Sequence, residues 1–273
     1  MSFISKRATM KEIFGVDKPI IGMVHLPPLP GSVFYDGDMK KVVDRAIEDA
    51  KALEEGGVDA LEIENFGDMT YFPGKVGPET VSAIAYVATK VSEEVDLPLG
   101  ICVLTDPVSA LAVAHAVGAT FIRATVYTEA VVDVSGIIQA CAHELQRLKK
   151  LIVDTKTKIF ADVQIKHSTP LAPRPIEHSA KDAAYFLADA VIVSGSFTGE
   201  ETPLEKVKRV KEYIPQVPVL VGSGTNKENV KELFKYADGA IVGTTFKKDG
   251  ITTNPVDVNR VREFMEVVWK IRK

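Results

Sequence analysis

Only two of the 273 residues are cysteine, Cys102 and Cys141. They lack C-x-x-C spacing and sit inside apolar segments, so neither a disulfide framework nor a thiolate metal site is expected, and two reduced, buried thiols are. Charge of one sign is also scarce. Lys and Arg number 33 against 37 Asp and Glu, a formal net charge of −4, which offers no basic field to nucleic acid or anionic lipid. No apolar run reaches the roughly 18 residues that a membrane helix needs, so no membrane insertion is expected. Residues 1–9 carry Lys6 and Arg7 but no apolar core; they do not read as a signal peptide, and a cytoplasmic location is expected. Low-complexity tracts, linker-like stretches and long charge blocks are missing, as are a Walker loop and a serine-nucleophile elbow. The five histidines, His25, His115, His143, His167 and His178, have no ligand spacing of the H-E-x-x-H kind. No cofactor and no metal site are therefore expected, although magnesium held by Glu64, Asp68 or Asp106 together with a substrate phosphate stays open. His115 and His143 fall in helical stretches and read as packing or surface residues.

What is present is an alternation. Short β-branched or apolar runs are followed by amphipathic stretches, about eight times over, the rhythm of repeated βα units. The strand runs are residues 19–25, 59–64, 97–104, 120–125, 158–166, 190–194, 218–221 and 239–243. The helical runs are near residues 39–55, 79–95, 107–117, 137–151, 177–187, a sixth opening at Thr202-Pro203-Leu204-Glu205, then 226–235 and 255–271. Thr202–Glu205 and Thr225-Asn226-Lys227-Glu228 have the form of capping boxes. Eight such units admit an open doubly wound sheet or a closed cylinder. The even spacing and the lack of an early G-x-G-x-x-G favour a single-domain α/β chain, a (β/α)8 TIM barrel of the phosphate-binding kind. The loops after strands one, two, four and five exceed the usual few residues, and all of them would gather on the C-terminal face, where barrel enzymes carry their chemistry.

Strand parity nominates the residues of that site. With Leu61 and Ile63 facing the helix layer, Glu62 and Glu64 point inward; the same parity aims Asp162, Gln164 and Lys166 inward on the fifth run. His25 ends the first strand, Arg123 shares parity with Phe121 on the fourth, and Asp106 lies just past the third. Charges converging on a barrel interior need partners. A structural ion-pair network is the alternative to catalysis for the deep residues Glu62 and Asp162, whereas Glu64, His25 and Lys166, nearer the mouth, are expected to be functional. Lys166 suits a base, a Schiff-base former or an anion binder. Gly222-Ser223-Gly224 after the seventh strand and Gly243-Thr244 after the eighth form an expected phosphate cradle, because glycine lets an anion approach the backbone and free N–H groups at a helix start favour negative charge. Ser194 and the hydroxyl-rich segment after it are expected to add donors. Asn65, Asp68 and His167 complete the candidate substrate-binding set.

Over nearly the whole chain the sequence resembles the BtpA/SgcQ family of TIM-barrel proteins. The specific segments are His25-Leu26-Pro27-Pro28-Leu29-Pro30-Gly31-Ser32 and Glu64-Asn65-Phe66-Gly67-Asp68. Ala161-Asp162-Val163-Gln164-Ile165-Lys166-His167, Val219-Leu220-Val221-Gly222-Ser223-Gly224 and Ala237-Asp238-Gly239-Ala240-Ile241-Val242-Gly243-Thr244 also match, although the glycine motifs are common to many phosphate-binding barrels. The resemblance implies an enzyme but assigns no catalytic residue. It brings two divergent roles: photosystem I biogenesis in the cyanobacterial namesake, and sugar-phosphate metabolism from relatives in carbohydrate gene groups. The expectation is an enzyme on a small phosphorylated metabolite, a sugar or nucleoside derivative, by isomerase, lyase or transferase chemistry. The alternatives are a non-catalytic assembly factor and a phosphate-binding regulatory module. A homo-oligomeric state is left open.

Overall fold

Alternating apolar residues on eight short strands give each strand two buried faces, and a parallel cylinder wrapped in helices buries both. The computed structural model describes residues 4–273; the first three residues of the 1–9 segment lie outside them. The strands are β1 (Ile20–His25), β2 (Ala60–Glu64), β3 (Leu99–Cys102), β4 (Phe121–Ala124), β5 (Lys158–Asp162), β6 (Ala190–Val193), β7 (Val219–Val221) and β8 (Gly239–Val242). All pair in parallel, and β1 pairs with both β2 and β8, which closes the barrel.

Between the strands run the helices Met39–Gly56, Pro78–Ser92, Pro107–Val117, Ala142–Leu151, Ile176–Tyr185, Leu204–Tyr213, Val230–Leu233 and Val258–Ile271. Their apolar stripes form one continuous layer with the outward-facing residues of the strands, such as Ile63, Ile101 and Val193. A separate inner core fills the lower barrel. There Phe121 stacks on Phe160 with ring centroids 4.7 Å apart, and Phe14 meets both rings edge-on. Phe14 comes from an additional helix, Met10–Phe14, capped by Thr9 and Glu12 in a reciprocal box. It plugs the N-terminal end and leaves the other end free. Among the described residues no helix is long and apolar enough to cross a membrane.

The structure corrects several local expectations. The fifth strand stops at Asp162 instead of running to Lys166, and Gln164 turns left-handed with φ 51°. Parity therefore fails beyond Asp162. The Gln164 side chain points away from the barrel axis and donates to the Arg174 carbonyl and Ser179. The stretch from residue 137 is not yet helix: Gly136–Ile138 is a strand, and it joins Val131–Asp133 and Thr169–Pro170 in a small antiparallel sheet that straddles the mouth. Neither expected capping box forms. Thr202 donates instead to the Ser223 carbonyl, and Asn226, not Thr225, accepts from the first N–H groups of the seventh helical segment. Cys102 is buried and Cys141 half-buried, both free, and the Cys141 thiol donates to the Val126 carbonyl.

Candidate active site at the C-terminal mouth

A cavity of about 560 Å³ opens at the C-terminal ends of the strands. His25, Glu64, Arg123, Lys166 and His167 line it together with Gly222, Ser223, Gly224, Gly243 and Thr244, so the two expected constellations share one chamber.

Below its floor lies a charge network. The Arg123 guanidinium grips Asp162 with two bonds of 2.7 and 3.1 Å, and reaches Glu62 at 3.5 Å and Glu64 at 3.8 Å. All four groups are essentially removed from solvent. A fork-to-fork pair of this kind is the geometry that offsets the desolvation of both ions. Asp162, expected to be catalytic, is thus spent on holding Arg123 and does not reach the cavity wall. Glu62 keeps one carboxylate oxygen without a partner. Burial, reinforced by the nearby Glu64 and Asp162 charges and opposed by Arg123, pushes its pKa up to about 8. Glu62 is therefore mostly protonated at neutral pH.

That shift sets a pH dependence. A carboxyl that titrates near 4.5 when unfolded and near 8 when folded is protonated on folding between those values, so its contribution is full below pH 4.5 and declines as pH rises through 8. Glu62→Gln mimics the protonated form. Wild type and variant are expected to differ little at pH 5, and the variant to be the more stable at pH 8.5 by on the order of 1–3 kcal/mol in urea titrations. Parallel stability curves across that range would contradict the assignment.

On the β1–β2 side, the His25 ring packs on Phe66 at 4.7 Å and places Nε2 3.7 Å from a Glu64 oxygen. Burial, then the charges of Lys247 and Lys166, hold His25 well below its ordinary pKa, so the ring is neutral at pH 7 and its free nitrogen can accept a hydrogen bond from a ligand. Lys166 arrives on the turn after β5 rather than on the strand. It makes no hydrogen bond or ion pair with the described residues. Burial and the Arg123 charge lower its pKa, partly countered by Glu64, Asp162 and Glu62. An unpaired amine made easier to deprotonate, beside a carboxylate and a neutral imidazole, can transfer protons or attack a carbonyl carbon. His167 instead engages Thr198 at 2.9 Å on the rim.

The opposite side of the cavity is formed by the glycine-containing loops after β7 and β8. Gly224 has φ 65°, and a Cβ there would stand 2.2 Å from the Glu200 carbonyl oxygen; a Cβ on Gly222 would stand 2.6 Å from Ser194 Oγ. At Gly224 the left-handed backbone packed on Glu200 requires glycine, and at Gly222 a side chain would displace Ile192 and Ser194; both glycines line the cavity. The N–H groups of Ser223, Gly224 and Thr225 have no acceptor among the described residues. Thr225 Oγ1 and Ser194 Oγ are buried without partners. Thr245 donates to the Thr225 carbonyl at 2.7 Å and locks the β7 and β8 loops together. Arg260, from the first turn of the last helix, anchors its Nε on the Thr245 carbonyl and lines the same end of the cavity. Sequence reasoning missed Arg260 and Thr225. Arg260 sits in an amphipathic helix and shows no signal beyond a basic residue near a helix start.

Of the nominated residues, Glu62, Asp162, Ser194, Asp106, Asn65 and Asp68 do not line the cavity. Asp106 caps the helix Pro107–Val117 and also accepts from Val76 N–H, while Asn65 and Asp68 bond each other and brace the loops after β1 and β3 through Leu29 and Leu104 N–H. The magnesium arrangement left open above, Glu64, Asp68 or Asp106 with a substrate phosphate, finds Asp68 and Asp106 already engaged by backbone N–H groups. Among the described residues Glu62, Glu64 and Cys102 do place ligand atoms within 4.8 Å of one another, but the Arg123 guanidinium already supplies positive charge there. Burial raises the Cys102 thiol well above its ordinary pKa, which keeps it an unreactive thiol.

Comparison with known proteins adds three findings. The sequence model of the BtpA family matches residues 16–270. An uncharacterized protein of Methanocaldococcus jannaschii is 46% identical over 257 residues, 93% of this chain and 97% of that one; the photosystem I biogenesis protein BtpA of Synechocystis is 37% identical over 94% of this chain and 90% of its own length. Among solved structures, thiamine phosphate pyrophosphorylase from Pyrococcus furiosus superposes with a TM-score of 0.58 at 15% identity, over 94% of this chain and 97% of that one, a likeness of fold.

Proposed function

We propose that this chain, which belongs to the BtpA family, is an enzyme acting on a small phosphorylated metabolite. The phosphate sits on the Gly222–Thr225 and Gly243–Thr244 backbone beside Arg260, and the reacting atoms lie toward Glu64, His25 and Lys166. One observation carries the reading: among the described residues, bare N–H groups and the unpartnered buried hydroxyl of Thr225 meet Arg260 in a cavity that also holds Glu64, a neutral imidazole and an unpaired amine. Buried polar atoms ordinarily have partners, and these would gain them from a bound phosphate. The resemblance in fold to a thiamine phosphate pyrophosphorylase is in keeping with it.

Inorganic phosphate tests the binding half. It is expected to raise the unfolding midpoint in a saturable way, with stabilisation following RT ln(1 + [L]/Kd). Arg260→Ala is expected to weaken that binding by about tenfold, the loss of one charge-assisted hydrogen bond. An unchanged midpoint at tens of millimolar phosphate, or an Arg260→Ala response equal to wild type, removes the phosphate site.

A further inference from the structure

The cavity is far larger than a phosphate and chemically two-sided. Away from the glycine loops its wall is made of Phe66, Leu104, Val126, Val131, Ile138 and Ile165. Val131 and Ile138 face each other across the small sheet, and with Val126 and Ile165 they form an apolar cluster separate from the main core. Several polar groups on this side are spent on their neighbours, Thr125 Oγ1 being buried without a partner among the described residues. Thr105 donates to the Phe72 carbonyl at 2.6 Å, one Asp133 oxygen accepts from Ser135 at 2.7 and 2.6 Å, and His167 is bonded to Thr198. A polyhydroxylated sugar placed here would lose water from its hydroxyls and find few partners for them. At the lip of the same wall, Val134 is 93% exposed and Met69 55%, apolar surface that a ligand would cover.

Resting on the phosphate reading above, we propose that the occupant is a phosphate monoester whose remaining part is mainly hydrocarbon: its phosphate on the β7–β8 loops, its apolar part under the sheet that straddles the mouth. The sheet is then a specificity device, since its strands come from the excursions after β4 and β5 and belong to no barrel layer. A volume of about 560 Å³ suits such a ligand, falling within the 300–1,000 Å³ usual for sites that enclose drug-sized molecules.

Calorimetric titration of the full chain with inorganic phosphate, ribose 5-phosphate and n-hexyl phosphate decides the matter. Hexyl phosphate is expected to bind at least about tenfold more tightly than either of the others, a modest share of what burying six methylene-sized groups yields. Val134→Asp at the exposed hairpin tip and Ile165→Ser on the wall are each expected to weaken hexyl phosphate by about fivefold or more and to leave inorganic phosphate unchanged. If inorganic phosphate binds while ribose 5-phosphate equals or exceeds hexyl phosphate, the apolar assignment is wrong and the phosphate site stands. If the variants weaken all three ligands alike, the sheet has no part in selecting the apolar group. If none of the three binds, the phosphate reading itself is lost, and this inference with it.

Discussion

Lys166→Ala is expected to lower turnover by about 10²–10⁴-fold, the range that one positioned proton-transfer group supplies. The fold should not suffer. Among the described residues Lys166 holds no partner, and burial beside Arg123 lowers its pKa, so below its ordinary titration range the folded protein bears a disfavoured charge. Removing that charge is expected to leave the unfolding midpoint at pH 7 unchanged or higher. A structural lysine gives the reverse pattern, lost stability with little lost rate. Lys166→Arg separates the chemical roles: an amine that only holds an anion is replaced with a small loss, whereas one that must give up its proton or form an imine is not, because a guanidinium stays charged. Initial rates with the phosphorylated compound that best stabilises the protein, measured beside the midpoint, check both variants.

The same variant discriminates the second reading, capture of a protein partner. Exposed Phe34, Phe72 and Phe197 on loops of the mouth face favour that reading. An assembly role tolerates Lys166→Ala and fails instead when those rim phenylalanines become serine. Full cellular function with a folded Lys166→Ala protein would end the enzymatic proposal.

Arg123→Leu is expected to reduce folding stability by about 3–5 kcal/mol, because it strands the Asp162 carboxylate without its paired guanidinium in the buried network beneath the cavity. Most of that loss is desolvation left uncompensated rather than attraction removed. The double variant Arg123→Leu with Asp162→Leu should therefore recover a large part of it. Arg123→Lys should recover little, since a single ammonium cannot reproduce the two bonds to Asp162. Urea titrations at pH 7 measure all three. A cost below about 1 kcal/mol for Arg123→Leu would mean the network does not hold the barrel floor.

Expectations drawn from strand parity hold as far as the strands run. Glu62, Glu64 and Arg123 lie inside the barrel because alternation along β2 and β4 leaves them no other side. Lys166 reaches the cavity although the argument that sent it there fails: the chain leaves extended geometry after Asp162, and the turn brings the amine back. Asp106 and Asp68 were nominated by position just beyond strand ends, where loop N–H groups compete with ligands for carboxylates, and the N–H groups won. Arg260 and the apolar sheet are not legible in local sequence because their roles arise between segments that no single periodic pattern links, Arg260 against Thr245 and the β7 loop, and Val131 against Ile165 and the strand Thr169–Pro170.

Local periodicity alone determined the eight βα units, their order and the end of the barrel on which polar residues collect, since each unit buries its own apolar stripe. Tertiary structure decided which of those residues share a chamber and which are consumed as braces. Pairing of β4 with β5 brings the Arg123 guanidinium onto Asp162, the curvature of the sheet brings it within reach of Glu62 two strands away, and only the packing of loops against one another determines which N–H groups, hydroxyls and amines stay unpaired among the described residues.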